Sequence, residues 1–468
     1  METDVGTMLA NQSTAINSAR QTTIKEKMEM ILDVGQLLME SGADSKSIVR
    51  DMLRAAAYLG LHWKHLNFHM TYTTIMANYD GDMRSYTVFR KCRHHGINMK
   101  TIIDVSQLSW RALAEKYVIP AFKADLDSMK LESTKRYYSP FVTSLAAGLA
   151  CGGFCKLFGC DWVAFIYTAI AACLGFWARR WCNLFEINPY ISTAISACVA
   201  TAAAYGTSFL PGSETPWFPM IACMLFLVPG IPLINSFDDL MNNYIVSGMT
   251  RAASTILVVL AMTFGIVGAI SLCGIPSFST YSIVPDGVYG SQVIAAAVAA
   301  IGFSVIFNIP PKLLVIAGIG GIIAVTTRNI LSLEFGMSQA WASFWGAAVV
   351  SIIGLKVAHK LQTPHTVVTI PAVIPMIPGV LMYRLLIGLF FISKYNAEYF
   401  LTAMQSGIQA TMVVLAIAVG ATLPDMIAHQ VLEKAKHKRL QCLLAAARAA
   451  NEEEVALETD IDQASNIK

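Results

Sequence analysis

Leu227-Val228-Pro229-Gly230-Ile231-Pro232-Leu233-Ile234 lies inside an apolar run long enough to cross a bilayer, and a near copy, Ile374-Pro375-Met376-Ile377-Pro378-Gly379-Val380, follows about 150 residues later. Proline removes a backbone donor and clashes with the preceding turn, and glycine adds backbone freedom, so each run is expected to be a broken helix. In lipid the freed backbone groups are tolerated only where protein or a water-filled cavity satisfies them. Two interrupted spans at matching places point to the substrate site of a transporter.

Composition agrees with that setting. The chain has 468 residues, 55% hydrophobic and 14% charged, with a mean hydropathy of +0.53. A soluble globular chain carries roughly 25% charged residues. Residues 1–139 are mixed, 140–428 almost continuously apolar and 429–468 charged again. The net charge of +3 gives no reason to expect a nucleic-acid partner. The N-terminus lacks the basic and apolar regions of a secretory signal, so the first domain is expected to stay on the side where it is made. Most of the ten cysteines fall within apolar runs and show no zinc spacing, which reads as helix packing with no metal or cofactor.

The first 139 residues read as a small α+β domain with a helical connector. Apolar stripes at Ile31, Leu32, Val34, Leu37 and Leu38, and at Ile48, Val49, Met52, Leu53, Ala56 and Leu59, predict two helices separated by Ser41-Gly42-Ala43, with Asp44 or Ser45 as cap. A period of two from Leu66 to Thr74, the turn signal Asp80-Gly81 and a return at Ser85–Phe89 predict a hairpin. Helical patterning resumes at Met99–Tyr117 and again at Pro120. Glu40, Ser41, Asp44 and Ser45 share one turn, with His62, His65, His69, His94 and His95 nearby in sequence. A hydrolase could draw a serine, an acid and a histidine from this set. A capped interhelical turn accounts for the same residues without chemistry, and no nucleophile-elbow motif is present.

At ~20 apolar residues per crossing, the chain offers ten spans, near 140–158, 161–178, 189–209, 217–236, 250–273, 290–309, 312–327, 337–358, 366–391 and 403–428. With the N-terminus in the cytoplasm, the cytoplasmic loops carry Arg179, Arg180, Arg251, Lys312, Lys356 and Lys360, and the opposite side only Lys156, Arg328 and Lys394. Lys434, Lys436, Lys438 and Arg439 then place the C-terminus in the cytoplasm as well. The expected organisation is a cytoplasmic domain over 1–139, a five-span module over 140–273, an extracytoplasmic loop over 274–289, a second five-span module over 290–428 and a charged cytoplasmic tail over 429–468. The broken span is the fourth of five in each half, and five is odd. The fold class expected is therefore a membrane all-α protein with two inverted five-helix repeats and the small α+β domain.

Substrate-binding candidates are the breaks themselves, Pro229, Gly230, Pro378 and Gly379, together with Asn235, Ser236, Thr369, Tyr383 and Arg384. Half-helix N-termini attract anionic groups and C-terminal ends attract cations. Arginine inside a span is costly and normally faces a partner or a cavity, so Arg384 is a candidate anchor for a substrate carboxylate. Asp238 and Asp239 are candidates for the ammonium group or the coupling proton. A solvated aspartate pair and a snorkelling arginine are the alternatives. Asn308 and Asp425, near predicted span ends, read as helix glue.

The stretch Leu38-Met39-Glu40-Ser41-Gly42-Ala43-Asp44-Ser45, followed by a helix ending at Gly60, resembles the N-terminal signature of the threonine/serine exporter family, and Thr369–Gly379 resembles the Pro-rich break of its second module. The resemblance covers about residues 25–428. It implies a bacterial inner-membrane exporter driven by the proton gradient, with small hydroxy amino acids as substrate and dicarboxylates such as succinate as the alternative. The expected partners are thus such a metabolite, protons and the lipid bilayer, with a homo-oligomer left open. The family's N-terminal domain has been suspected of hydrolytic activity, but Lys46-Ser47 stands where the signature helix would carry an arginine, which weakens the case for chemistry there, and an enzyme is not the expected reading. No Gly-x-x-x-x-Gly-Lys-[Ser/Thr] loop is present, which argues against ATP-driven transport. A membrane-anchored hydrolase, and a channel or sensor with a regulatory domain, complete the expectations.

Overall fold

The computed structural model describes residues 23–81, 85–92, 95–114, 117–274, 289–391 and 398–428. The expected charged tail and nearly all of the 274–289 loop lie outside the described residues, as do His94 and the tip of the Asp80-Gly81 turn.

The N-terminal unit begins with α1, Ile24–Glu40, whose end Thr23 and Glu26 close with a reciprocal capping box. Gly42, at φ +86°, turns the chain where a side chain would be strained. Asp44 then caps α2, Ser45–Tyr58, by accepting from the Ser47 amide at 2.9 Å. Strands β1 (Leu66–Met70), β2 (Thr74–Asp80) and β3 (Ser85–Lys91) form an antiparallel sheet in that order. The period-two run from Leu66 was expected to continue to Thr74 as one strand. It reverses at Thr71 instead, because the Thr71 hydroxyl accepts from the amides of Thr73 and Thr74 and builds a turn that alternation does not reveal. Helices α3 (Met99–Ala114) and α4 (Ile119–Glu132) complete the unit, with Pro120 in the first turn of α4. Met28, Ile31, Leu38, Ile48, Met52, Ile75, Ile102 and Phe122 are fully or almost fully buried in its core.

The apolar part consists of α5 (Pro140–Leu157), α6 (Trp162–Leu184), α7 (Pro189–Thr207), α8 (Phe218–Ala222), α9 (Gly230–Met241), α10 (Ile245–Cys273), α11 (Tyr289–Ile306), α12 (Pro311–Leu333), α13 (Gln339–Leu361), α14 (His365–Val373), α15 (Gly379–Phe390) and α16 (Glu398–Ala428). Among the described residues seven helices are long and apolar enough to cross a membrane, and two bent pairs bring the number to nine if each is one span. Ten spans were expected, and α7 is the difference. Its Ser192, Ser196 and Thr201 lower its hydropathy, yet all three are fully buried, and the Ser196 hydroxyl donates to the Gly175 carbonyl of α6 at 2.7 Å.

Helices α5 and α11 pack closely through glycine. A Cβ on Gly153 would meet the Ala295 carbonyl oxygen at 2.8 Å, and one on Gly302 would meet the Ala146 carbonyl oxygen at 2.6 Å. Rising numbers on one helix meet falling numbers on the other, so the two run antiparallel.

Both expected breaks are present and share one geometry. The halves bend by 57° at the first and 56° at the second. A 3-10 turn at Leu225–Leu227 or Ile374–Met376 leads into an extended residue, Val228 or Ile377. Pro229 (φ −78°, ψ 64°) and Pro378 (φ −82°, ψ 56°) follow. These angles are those of an inverse γ-turn, and its bond is made in both: Gly230 N–H to Val228 O at 2.8 Å and Gly379 N–H to Ile377 O at 2.9 Å. Part of the backbone polarity freed by each break is thus consumed locally.

Candidate functional site

The breaks lie against each other. A Cβ on Gly230 would meet Ile377 Cδ1 at 2.7 Å, and one on Gly379 would meet Leu225 Cδ2 at 2.8 Å. Tyr383, buried in α15, donates its hydroxyl to the Ile221 carbonyl of α8 at 2.9 Å. Pro229, Gly230, Pro378, Gly379 and Tyr383 therefore come together, as a closed seam in which apolar side chains from each half cover the other's break.

The polar groups gather farther along, where α9 ends and the N-terminal unit meets the helices. Asp238 and Asp239 are not solvated tail residues, since 6% and 0% of their surfaces are exposed. Eight residues past Gly230 on a helix is about 12 Å. Asp239 is saturated: Oδ1 accepts from the Ser45 amide at 2.8 Å, Oδ2 accepts from the Ser247 hydroxyl at 3.0 Å, and Arg251 Nε lies 3.0 Å from Oδ2. Arg251 also donates through Nη2 to the Ala43 carbonyl at 2.8 Å, and Asn235 Nδ2 donates to the Gly42 carbonyl at 3.0 Å. The Gly42–Ser45 turn of the N-terminal unit is thus inserted between α9 and α10.

Asp238 points elsewhere. It lines a small polar cavity with Asp44, Lys46, Ser47 and Arg50 of the N-terminal unit, His365 and Thr366 at the start of α14, and Thr422 and Asp425 near the end of α16. Lys46 Nζ is 2.7 Å from Asp425 Oδ2, the Thr366 hydroxyl donates to Asp44 Oδ1 at 3.1 Å, and Asn242 Nδ2 donates to Asp238 Oδ1 at 3.0 Å. His365 Nε2 sits 2.8 Å from the Thr369 hydroxyl and 3.0 Å from that of Ser351. The space open to water centres is about 20 Å³, enough for one or two water molecules and too little for a metabolite. This conformation is closed.

The remaining expected residues divide. Thr369 reaches the cavity wall through His365, whereas the Ser236 hydroxyl bonds back to the Leu233 carbonyl of its own helix at 2.7 Å. Arg384 follows Tyr383 in α15, half-buried, and is not among the residues lining the cavity. Sequence reasoning missed Lys46, Arg50 and His365, and it treated Asp425 as glue. The signal for His365 was its spacing of four from Thr369 on a helix with a proline break; Lys46 and Arg50 carried none, because charges on a soluble helix are ordinarily solvated. The Ser45 hydroxyl, considered for hydrolysis, donates to Ser247 at 2.9 Å. Among the described residues no group of three His, Cys, Asp or Glu could hold a metal ion.

A bundle of apolar helices, two of them broken at matching points, with buried carboxylates and basic side chains facing one polar cavity, defines a multi-pass membrane transporter. Residues 29–273 match the threonine/serine exporter family, and residues 292–427 match the model of its second module, also described as a threonine/serine exporter. The chain belongs to the threonine/serine exporter family, with both modules fused in one polypeptide. It is 28% identical over 239 residues to the probable succinate transporter subunit YjjP of Klebsiella aerogenes, covering 51% of this chain and 90% of that one. The Escherichia coli protein of the same name is 27% identical over 247 residues, covering 53% of this chain and 94% of that one. An uncharacterized protein of Haemophilus influenzae is 30% identical over 138 residues, 29% of this chain and 46% of its own. No solved structure matches. The protein is a membrane exporter by family, and its substrate is a small molecule.

Proposed function

We propose that the protein exports small zwitterionic amino acids of the threonine/serine type from the cytoplasm across the inner membrane, in exchange for protons. The observation that carries this reading is the mixed charge of the cavity: three carboxylates (Asp44, Asp238, Asp425) and two cations (Lys46, Arg50) line it, together with Ser47, Thr366 and Thr422. A zwitterion brings one charge of each sign and adds nothing to the balance, whereas a dicarboxylate adds two negative charges beside three. Hydroxyls suit a substrate that itself carries one. Asp238 is the proposed proton carrier, since it faces the cavity while Asp239 is held by Arg251, Ser247 and Ser45.

The proposed route runs from this cavity to the paired breaks, Pro229-Gly230 and Pro378-Gly379. The two five-helix modules are proposed as inverted repeats, for which the antiparallel α5 and α11 and the twin γ-turn breaks speak. Both termini are proposed to be cytoplasmic, so the domain end of the helices is the entry side, and Arg384, on the other half of the broken pair, remains the proposed anion contact along the exit. Counterflow in proteoliposomes with labelled serine, threonine and succinate, with and without a pH gradient, tests the reading. Serine or threonine exchange that accelerates with the gradient supports it; transport of succinate alone refutes it.

Dicarboxylate export is the second reading, and the YjjP relatives, named probable succinate transporter subunits, favour it. Hydrolysis by the N-terminal unit has less support, because Asp44 and Ser45 are engaged in holding that unit to the helices. Efflux that persists in a Ser41→Ala, Ser45→Ala variant would separate any catalysis from transport.

A further inference from the structure

We infer that Lys46 and Arg50, on the first turns of α2 in the N-terminal unit, are the carboxylate-binding half of the substrate site, so that the unit supplies substrate ligands in addition to closing the site. The inference rests on the exporter reading above and assigns its anion contact on the entry side to different residues.

Four observations converge. Lys46 and Arg50 are the cations that line the cavity shared with Asp238, whereas Arg384 does not line it. They stand four apart on one helix, so both side chains leave the same face and reach one ligand. Arg50 is under-used where it sits: Nη2 donates to the Ser47 hydroxyl at 3.1 Å, while Nε is buried with no hydrogen-bond partner. A guanidinium offers a planar fork that a carboxylate completes, and a buried donor left unmade is costly. Lys46, by contrast, is already paired with Asp425 at 2.7 Å, with 22% and 18% of the two side chains exposed. An ion pair that faces a cavity and keeps some contact with water can be exchanged for another.

Loading is then an exchange of partners. The incoming carboxylate takes the open fork of Arg50 and the ammonium of Lys46; Asp425, released, joins Asp238 to receive the substrate's ammonium group. Each charge that leaves one partner finds another, so no charge is stranded, which keeps the barrier to opening low. Empty, the Lys46–Asp425 pair draws α2 onto α16 and shuts the cavity.

The test is counterflow of labelled serine, threonine and succinate by the full-length protein in proteoliposomes, comparing Lys46→Gln, Arg50→Gln, Lys46→Arg and Arg50→Lys, with Lys123→Gln, an exposed lysine of α4, as control. Each glutamine variant is expected to raise the KM of the transported substrate at least tenfold with a smaller change in kcat, and Lys46→Arg to recover most of the loss. Insertion and size-exclusion profiles identical to wild type establish that folding is intact; for a variant that fails them, the conservative Arg50→Lys or Lys46→Arg variant is read instead, with a KM shift of threefold or more expected for Arg50→Lys because the fork is lost. A wild-type KM in both glutamine variants, or in Arg50→Lys where it is read, overturns the inference and leaves the exporter reading standing. Failure of wild type to transport any of the three compounds overturns both.

Discussion

Arg251 and Asp239 form an ion pair with 3% and 0% of their side chains exposed, and each also holds the backbone of one turn: Asp239 accepts from the Ser45 amide, and Arg251 donates to the Ala43 carbonyl. The pair is 12 residues apart in sequence, yet its purpose is visible only from a segment nearly 200 residues earlier. Two charges in so dry a place are tolerable because they lie 3.0 Å apart and both Asp239 oxygens accept hydrogen bonds, from the Ser45 amide and the Ser247 hydroxyl.

Removing one partner strands the other. Asp239→Ala and Arg251→Ala are each expected to destabilise the protein by about 3–5 kcal/mol, and the double variant by clearly less than their sum. Thermal unfolding in detergent measures this, and strict additivity would show that the two side chains do not interact.

The seam between the breaks makes a smaller prediction. Tyr383→Phe removes one hydroxyl donation to the Ile221 carbonyl and should cost about 1 kcal/mol, with transport slowed more than stability suggests because the two broken helices lose a shared bond. An unchanged efflux rate together with unchanged unfolding would argue that the bond is incidental.

The antiparallel contact of α5 and α11 is intolerant of side chains. Gly153→Ala places a Cβ against the Ala295 carbonyl oxygen and the Ala299 amide nitrogen, both backbone atoms that cannot swing away, and overpacking of this kind costs typically about 1–3 kcal/mol. Gly268→Ala has open space around it and should be neutral or slightly stabilising. Unfolding midpoints of the two variants should differ by several degrees in that direction.

In the N-terminal unit, burial and then the nearby Glu40 charge push the Cys92 thiol up to about 12. The thiolate is the reactive form, so Cys92 should resist iodoacetamide at pH 8 in the native protein and react on denaturation. The folded state keeps a proton that the unfolded state begins to release near the ordinary thiol value, so this residue lowers stability as pH rises above about 9. Native-state mass spectrometry showing rapid modification of Cys92 at pH 8 would contradict the packing.

Much of this was legible in the sequence. Proline and glycine announced both breaks at the residue level, and glycine and capping residues marked the ends of α1 and α2. Alternation found β1 and β3 but not the reversal at Thr71, which depends on a hydroxyl accepting from two amides. The tenth span of the sequence count is α7, whose serines and threonines lower its hydropathy and pack on α6. Asp238 lies on the polar cavity, whereas Asp239, which the sequence presents as its twin, has Arg251 and Ser45 beside it. Lys46 and Arg50 could not be placed on the cavity from sequence, because it is assembled from four segments that no local pattern connects.

The N-terminal unit is tied to the first helical module through Asn235, Asp239, Ser247 and Arg251. To the second it is tied through Thr366 and Asp425, through the Met99 amide on the Phe307 carbonyl at 3.0 Å, and through Asn98 with Asn308 at 2.7 Å. It is a splint laid across a joint. The two modules cannot rock against each other without unfastening one end of it, so whichever set of bonds is weaker decides which module carries the splint along and which one swings free.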